Sequence, residues 1–133
     1  MRNTNFKGRW QILNVAPRVI CDTAHNKEGL HYVMHQMVSQ TAKKVHIVLG
    51  VVNDKKLEDI LPLFPQDATY YFCKPNIPRG LNEHELQSKA SHFGLLGSTY
   101  NSVNEAYLTA ISNAEKEDVV FVGGSTFVVG EVV

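Results

Sequence analysis

The sequence predicts an α/β domain: a three-layer, mainly parallel sheet of about six strands with helices on both faces. Three observations lead there. Short β-branched runs alternate along the chain with segments of helical periodicity. Two of those runs, Val45-His46-Ile47-Val48-Leu49 and Val119-Val120-Phe121-Val122, are nearly continuous in apolar residues instead of alternating, as in strands covered on both sides. The 133 residues, 44% of them hydrophobic, suffice for one packed core and are too few for two ordinary domains.

A short strand, Trp10 to Leu13, precedes the first long one, Arg18 to Cys21. The first helix runs from about Asn26 to Gln40, because Leu30, Val33, Met34, Met37 and Val38 recur at three- and four-residue spacing. Val45 to Gly50 is a central strand. The second helix begins near Asp54, turns Leu57, Ile60, Leu61 and Phe64 inward, and has its end marked by Pro62 and Pro65. Thr69 to Phe72 follows as a strand. Helices from Asn82 to His92 and from Ser102 to Ala114 each start on a capping residue with Glu three positions later, Glu85 and Glu105. Between them lies a weak strand near Gly97 to Tyr100, and Val119 to Gly123 completes the set. The one extended loop is Lys74 to Gly80.

Composition excludes several classes of function. Thirteen Lys and Arg balance thirteen Asp and Glu, so no global field favours nucleic acid or an acidic membrane surface, although a local cationic pocket stays open. The apolar runs fall far short of the roughly 20 residues of a membrane span. The polar start, Met1 to Asn5, is not followed by an apolar stretch, so no signal-peptide pattern is present. Cys21 and Cys73 lie in strand-like runs outside any Cys-x-x-Cys pair and read as reduced core residues, which suits a cytoplasmic protein. There is no Gly-x-x-x-x-Gly-Lys-Ser/Thr phosphate loop, no Gly-x-Gly-x-x-Gly after a strand and no Gly-x-Ser-x-Gly elbow.

In open α/β sheets ligands sit beyond the carboxyl ends of the strands, so the informative residues follow strands. Asp22-Thr23-Ala24-His25-Asn26 follows the first long strand and opens a helix. A carboxylate, an imidazole and an amide there can bind a metal, hold a ribose hydroxyl or contact a phosphate. A plain helix cap at Asp22 or Asn26, with His25 on the surface, fits the same spacing. A second turn places Asp54 and Lys55 at the next helix start, and a third, Gly123-Gly124-Ser125, allows a ligand close to the backbone beside a hydroxyl donor. Capping and tight-turn readings apply to these too. His31, His35, His46, His84 and His92 have no partners at ligand spacing and read as structural or surface residues.

These turns, in this order, resemble the C-terminal domain of folylpolyglutamate synthase, within the Mur ligase superfamily. The matching residues are Gly8-Arg9-Trp10-Gln11, Asp22-Thr23-Ala24-His25-Asn26, Asp54-Lys55, Pro78-Arg79 and Gly124-Ser125, which together span nearly the whole chain. The Asp-x-Ala-His-Asn element is the most specific, since the peptidoglycan-building relatives usually carry a variant such as Tyr-Ala-His-Thr-Pro. Thr23, Lys27 and Lys56 depart from the family pattern, where Gly, Pro and a second Asp are common. Lys56 leaves any role of that third position in metal or nucleotide binding unsupported.

The resemblance implies a Rossmann-like Mur ligase C-terminal fold. It implies an enzyme that joins glutamate to folate or a γ-glutamyl tail, using ATP and magnesium through an acyl phosphate. The phosphate loop and most magnesium ligands of that family belong to an N-terminal ATPase domain, so this sequence is expected to be a single-domain fragment, inactive alone, with Met1 an expression start. Carried over, His25 and Asp22 are the catalytic candidates: His25 at the reacting phosphate or incoming amine, Asp22 at the nucleotide or a bridging cation. Arg9, at nucleotide phosphate or the acyl phosphate, and Asn26 join Asp22 in cofactor binding. Ser125 is the candidate for a glutamate carboxylate, with Lys55 and Arg79 for other anionic groups. No metal ligands are assigned in this chain. The implied partners are small-molecule substrates and the ATPase domain, with no nucleic acid and no membrane. Another Mur-type amino-acid ligase domain, or a non-catalytic α/β interaction module, are the alternatives. The resemblance leaves open whether the enzyme also makes dihydrofolate from dihydropteroate.

Overall fold

In a strand, successive side chains point to opposite faces, so a strand apolar at every position must be covered on both. The computed structural model, which describes residues 11–15, 18–21, 44–52, 57–123 and 126–132, shows this arrangement. Its strands are β1 (Gln11–Val15), β2 (Arg18–Cys21), β3 (Val45–Leu49), β4 (Thr69–Phe72), β5 (Gly97–Thr99) and β6 (Val119–Gly123). They form a six-stranded sheet in the order β1-β2-β6-β3-β4-β5. The five strands from β2 to β5 are parallel, and β1 pairs antiparallel with β2 at the edge. The apolar runs of β3 and β6 are adjacent and central, as their composition requires.

The alternation sorts the core into two layers. Ile20, Ile47, Leu49, Tyr70, Phe72 and Phe121 face one side, where they meet Leu57 and Ile60 of α1 (Leu57–Ile60) and Leu86 and Ala90 of α2 (Glu83–Ser91). Leu61 and Phe64, from the 3-10 turn Leu61–Leu63 and its C-cap, complete that layer. Val19, Cys21, Val48, Tyr71, Val120 and Val122 face the other side, against Val103, Ala106 and Ala110 of α3 (Val103–Asn113) and Val128 and Val129 of α4 (Thr126–Val132). Each large side chain buried this way contributes roughly 1.5–3 kcal/mol.

Helix starts follow the local chemistry. Asn82 Oδ1 accepts the N–H groups of His84 (2.8 Å) and Glu85 (3.3 Å), and Ser102 Oγ accepts that of Glu105 (3.0 Å). The Glu105 carboxylate closes back on the Asn101 N–H at 2.9 Å, one residue before the cap. The helix expected from Asn26 to Gln40, Trp10 at the start of the first strand and the second helix start near Asp54 lie outside the described residues.

Two differences from the sequence reading have clear causes. The first strand continues past Leu13 to Val15, because its ladder with β2 runs through an irregularity between Ile12 and Asn14 down to the Val15–Arg18 pair. Backbone pairing at a sheet edge accommodates the polar Asn14. The helix Thr126–Val132 was not expected, since Thr-Phe-Val-Val-Gly-Glu-Val is rich in β-branched residues and contains Gly130. Burial of Val128 and Val129 against the sheet overrides that weak propensity.

Candidate functional site

The parallel ladder fixes where the strand-following turns begin. Cys21 is level with Val122 and Val122 with Val48, while Gly123 is level with Leu49, Leu49 with Phe72, and Phe72 with Thr99. The carboxyl ends of β2, β6, β3, β4 and β5 therefore lie along one edge of the sheet. Positions 50, 73 and 100 leave the ladder from that edge, and 22 and 124 are the positions that follow β2 and β6 in sequence. In β1, which runs the other way, Gln11 is opposite Cys21, so the chain also enters the sheet there, two positions after Arg9.

Described loops on this edge are tied to one another. The Cys73 N–H donates to the Leu49 carbonyl at 3.0 Å and the Leu81 N–H to the Val51 carbonyl at 2.9 Å, while Val52 and Gly80 form an antiparallel bridge. At Gly50 there is no room for a side chain: a Cβ would stand 2.8 Å from both the Cys73 carbonyl oxygen and Val128 Cγ2. The turn after β3, the loop after β4 and the last helix thus meet at a single glycine. Arg79, exposed and next to Gly80, sits on the 74–80 loop beside the Val52–Gly80 bridge.

Of the candidate site residues, Arg79 is the one within the described residues, and it is on the carboxyl edge. Arg9, Asp22, His25, Asn26, Lys55 and Ser125 lie outside them, as does Asp54. What the ladder brings together is the carboxyl ends of β2, β3 and β6, the strands that precede Asp22, Lys55 and Ser125 in sequence. Sequence reasoning missed Asn76 and Glu131. The Asn76 N–H donates to Glu131 Oε2 at 2.7 Å, linking the 74–80 loop to α4, and no sequence signal marked α4 as a helix.

Cys73, at the carboxyl end of β4, is fully buried, and its thiol is pushed up to about 12 by burial and, secondarily, by the negative Glu131 and Glu83. It stays protonated at neutral pH and supplies no covalent nucleophile. No group of three or more His, Cys, Asp or Glu among the described residues could hold a metal ion.

At the opposite edge is a buried polar network. His46 Nε2 lies 3.0 Å from Asp118 Oδ2, and His46 Nδ1 lies 2.9 Å from the Tyr71 hydroxyl, which also accepts from Asn113 Nδ2 at 3.3 Å. With Asp118 ionised, Nε2–H donates to its Oδ2 and the Tyr71 O–H donates to Nδ1, while the buried Asp118 Oδ1 has no hydrogen-bond partner. Burial pushes the Asp118 carboxyl up, but the Glu115 N–H, the His46 bond and the positive Lys44 together hold it below its ordinary value. Burial likewise raises the Tyr71 hydroxyl, opposed by the Asn113 bond. The structural reading of His46 stands. Its partners are 25 and 72 positions away, beyond any local spacing pattern.

Comparison with known proteins gives the context of this geometry. Residues 8–126 match the family model described as Mur ligase, glutamate ligase domain. The dihydrofolate synthase/folylpolyglutamate synthase of Escherichia coli is 33% identical over 127 residues, covering 94% of this chain and 29% of that protein. The structure of E. coli FolC in complex with DHPP and ADP superposes with a TM-score of 0.85 at 32% identity, covering 96% of this chain and 30% of that one. A bifunctional folylpolyglutamate synthase/dihydrofolate synthase solved with Mn, AMPPNP and L-glutamate bound gives 0.83 at 26% identity, over 96% and 31%. The chain thus spans under a third of the length of these relatives. No helix of the described residues is long and apolar enough to cross a membrane.

Proposed function

Because the chain belongs to the Mur ligase glutamate-ligase domain family, on its folylpolyglutamate/dihydrofolate synthase branch, we propose that it is the C-terminal domain of an ATP-dependent amide ligase. The ligase joins glutamate to folate or folylpolyglutamate through an acyl phosphate, and the active enzyme is a longer polypeptide with an N-terminal ATPase domain. The observation that carries this reading is the convergence of strand ends. Asp22 and Ser125 lie one and two positions past strands that are neighbours in the sheet, and Arg9 precedes the strand beside them.

Phosphoryl transfer to a carboxylate and attack by an amine both need charge neutralisation and alignment more than covalent help from the protein. Arg79, an exposed cation on the edge, and the backbone of the strand-end turns suit polyphosphate and carboxylate groups. Magnesium coordination is not assigned to the described residues. ATP with Mg²⁺, held mainly by the N-terminal domain, supplies the phosphoryl group that activates the acceptor carboxylate. Arg9 and Asn26 bind the nucleotide side, and Asp22 orients the nucleotide or a bridging cation. His25 acts at the reacting phosphate or the incoming amine, Ser125 holds a glutamate carboxylate, and Lys55 and Arg79 neutralise other anionic groups of the substrates.

The test is incorporation of labelled glutamate into folate by a polypeptide carrying this domain joined to its ATPase domain. The expected result is an ATP-dependent γ-glutamyl product from the longer protein, and neither ATP turnover nor product from the 133-residue chain. Turnover by the isolated chain above a mock-purified control, or absence of product from the longer one, contradicts the reading.

A further inference from the structure

We propose that Glu131 is a positioning residue of the ligase, fastening the loop that carries Arg79 to α4, the helix that begins one residue after Ser125 in sequence. The inference rests on the functional reading above. The 74–80 loop is held at its two ends by the 49–52 segment, through the Cys73 and Leu81 N–H groups. Inside it, two local bonds shape the turn: the Ile77 N–H to the Pro75 carbonyl at 2.8 Å and the Gly80 N–H to the Ile77 carbonyl at 3.0 Å. The Val52–Gly80 bridge holds the end of the loop, and the Asn76 N–H to Glu131 Oε2 bond, at 2.7 Å, ties its middle to α4.

The other end of that bond is firmly seated. Val128 and Val129 are fully buried, and Val128 stands against Gly50, so α4 cannot shift without disturbing the turn after β3. A carboxylate accepting an N–H is a short, charge-assisted bond, stronger than a neutral one. Through it the Arg79 loop and the start of α4, one residue past Ser125, move as one body. Where two anionic groups must be aligned for attack, a displacement of about 1 Å at either contact can slow the reaction by roughly 10²-fold.

The experiment compares Glu131→Ala and Glu131→Gln. In the 133-residue chain, Asn76 amide exchange is measured by NMR. Glu131→Ala should raise it by roughly tenfold or more, and Glu131→Gln, whose amide oxygen still accepts, should restore part of the protection. In the longer ligase, Glu131→Ala should raise the KM of glutamate or the folate acceptor by roughly tenfold, with a smaller change in kcat. Arg79→Ala should then cost less in the Glu131→Ala background than alone. Unchanged Asn76 protection overturns the tether. Lost protection with wild-type kinetics, or effects of the two substitutions that simply multiply, overturns the positioning role. A wild-type ligase that joins no glutamate overturns the functional reading and this role with it, a failure distinct from a fully active Glu131→Ala enzyme.

Discussion

Replacing His25 or Asp22 by alanine in the longer ligase is expected to lower kcat/KM by roughly 10²-fold or more, while changing stability by no more than about 1–2 kcal/mol. The asymmetry follows from where the chain leaves the sheet. β2 ends at Cys21, which is fully buried and lies beside the ends of β6 and β3, and Asp22 is the next residue in the sequence. A residue past a strand end generally contributes little to the packing between sheet and helices. If it meets the reacting phosphate or the incoming amine, its loss falls on the transition state. Steady-state kinetics beside denaturant melts of the same variants make the comparison. Near-parental turnover in both variants would return Asp22 to the role of a helix cap and His25 to the surface.

At the opposite edge the expectation reverses. His46→Ala or Asp118→Ala should each destabilise the domain by about 2–4 kcal/mol, since each leaves buried polar atoms of its partner unpaired. The double variant should cost less than the sum of the two. Ligase kinetics at a temperature where the variants remain folded should change little, because the network lies at the far end of β3 and β6 from the strand ends. The pH dependence has a definite sign. The folded-state value of Asp118 lies below its ordinary 3.8, so the stability it contributes is present above that pH and is lost as pH falls through the lower folded-state value. Denaturant melts across the acid range should show this loss in the parent chain and a flatter profile in Asp118→Asn.

The parts of the fold that were legible in the sequence are those set by local periodicity and local chemistry. The apolar runs announced β3 and β6 as central, and Asn82 and Ser102 announced helix starts, because a cap bonds within three residues of itself. The spacing of Leu57, Ile60, Leu61 and Phe64 correctly gave a buried face, although the last turn tightens to 3-10 geometry at Pro62. Illegible were the features that need the sheet assembled first. The α4 helix exists through contacts of Val128 and Val129. Asp118 and His46 find each other only because β3 and β6 are neighbours. The 74–80 loop finds Glu131 only because α4 folds back beside Gly50. For the candidate site, the sequence supplied the residues through their order in a family pattern, and the ladder shows that the strands preceding Asp22, Lys55, Arg79 and Ser125 in sequence end along one edge.

The most direct test of the central claim is the fate of oxygen in the acceptor. On the proposed mechanism, with the folate carboxylate labelled with ¹⁸O, activation would transfer the γ-phosphoryl group of ATP to a carboxylate oxygen and release ADP. Attack of the glutamate amine on the acyl carbon would then form the amide and expel inorganic phosphate carrying that oxygen. The account predicts one ¹⁸O in inorganic phosphate for each glutamate joined by the longer ligase. Label recovered in AMP, or glutamate joined with no label in phosphate, would contradict it.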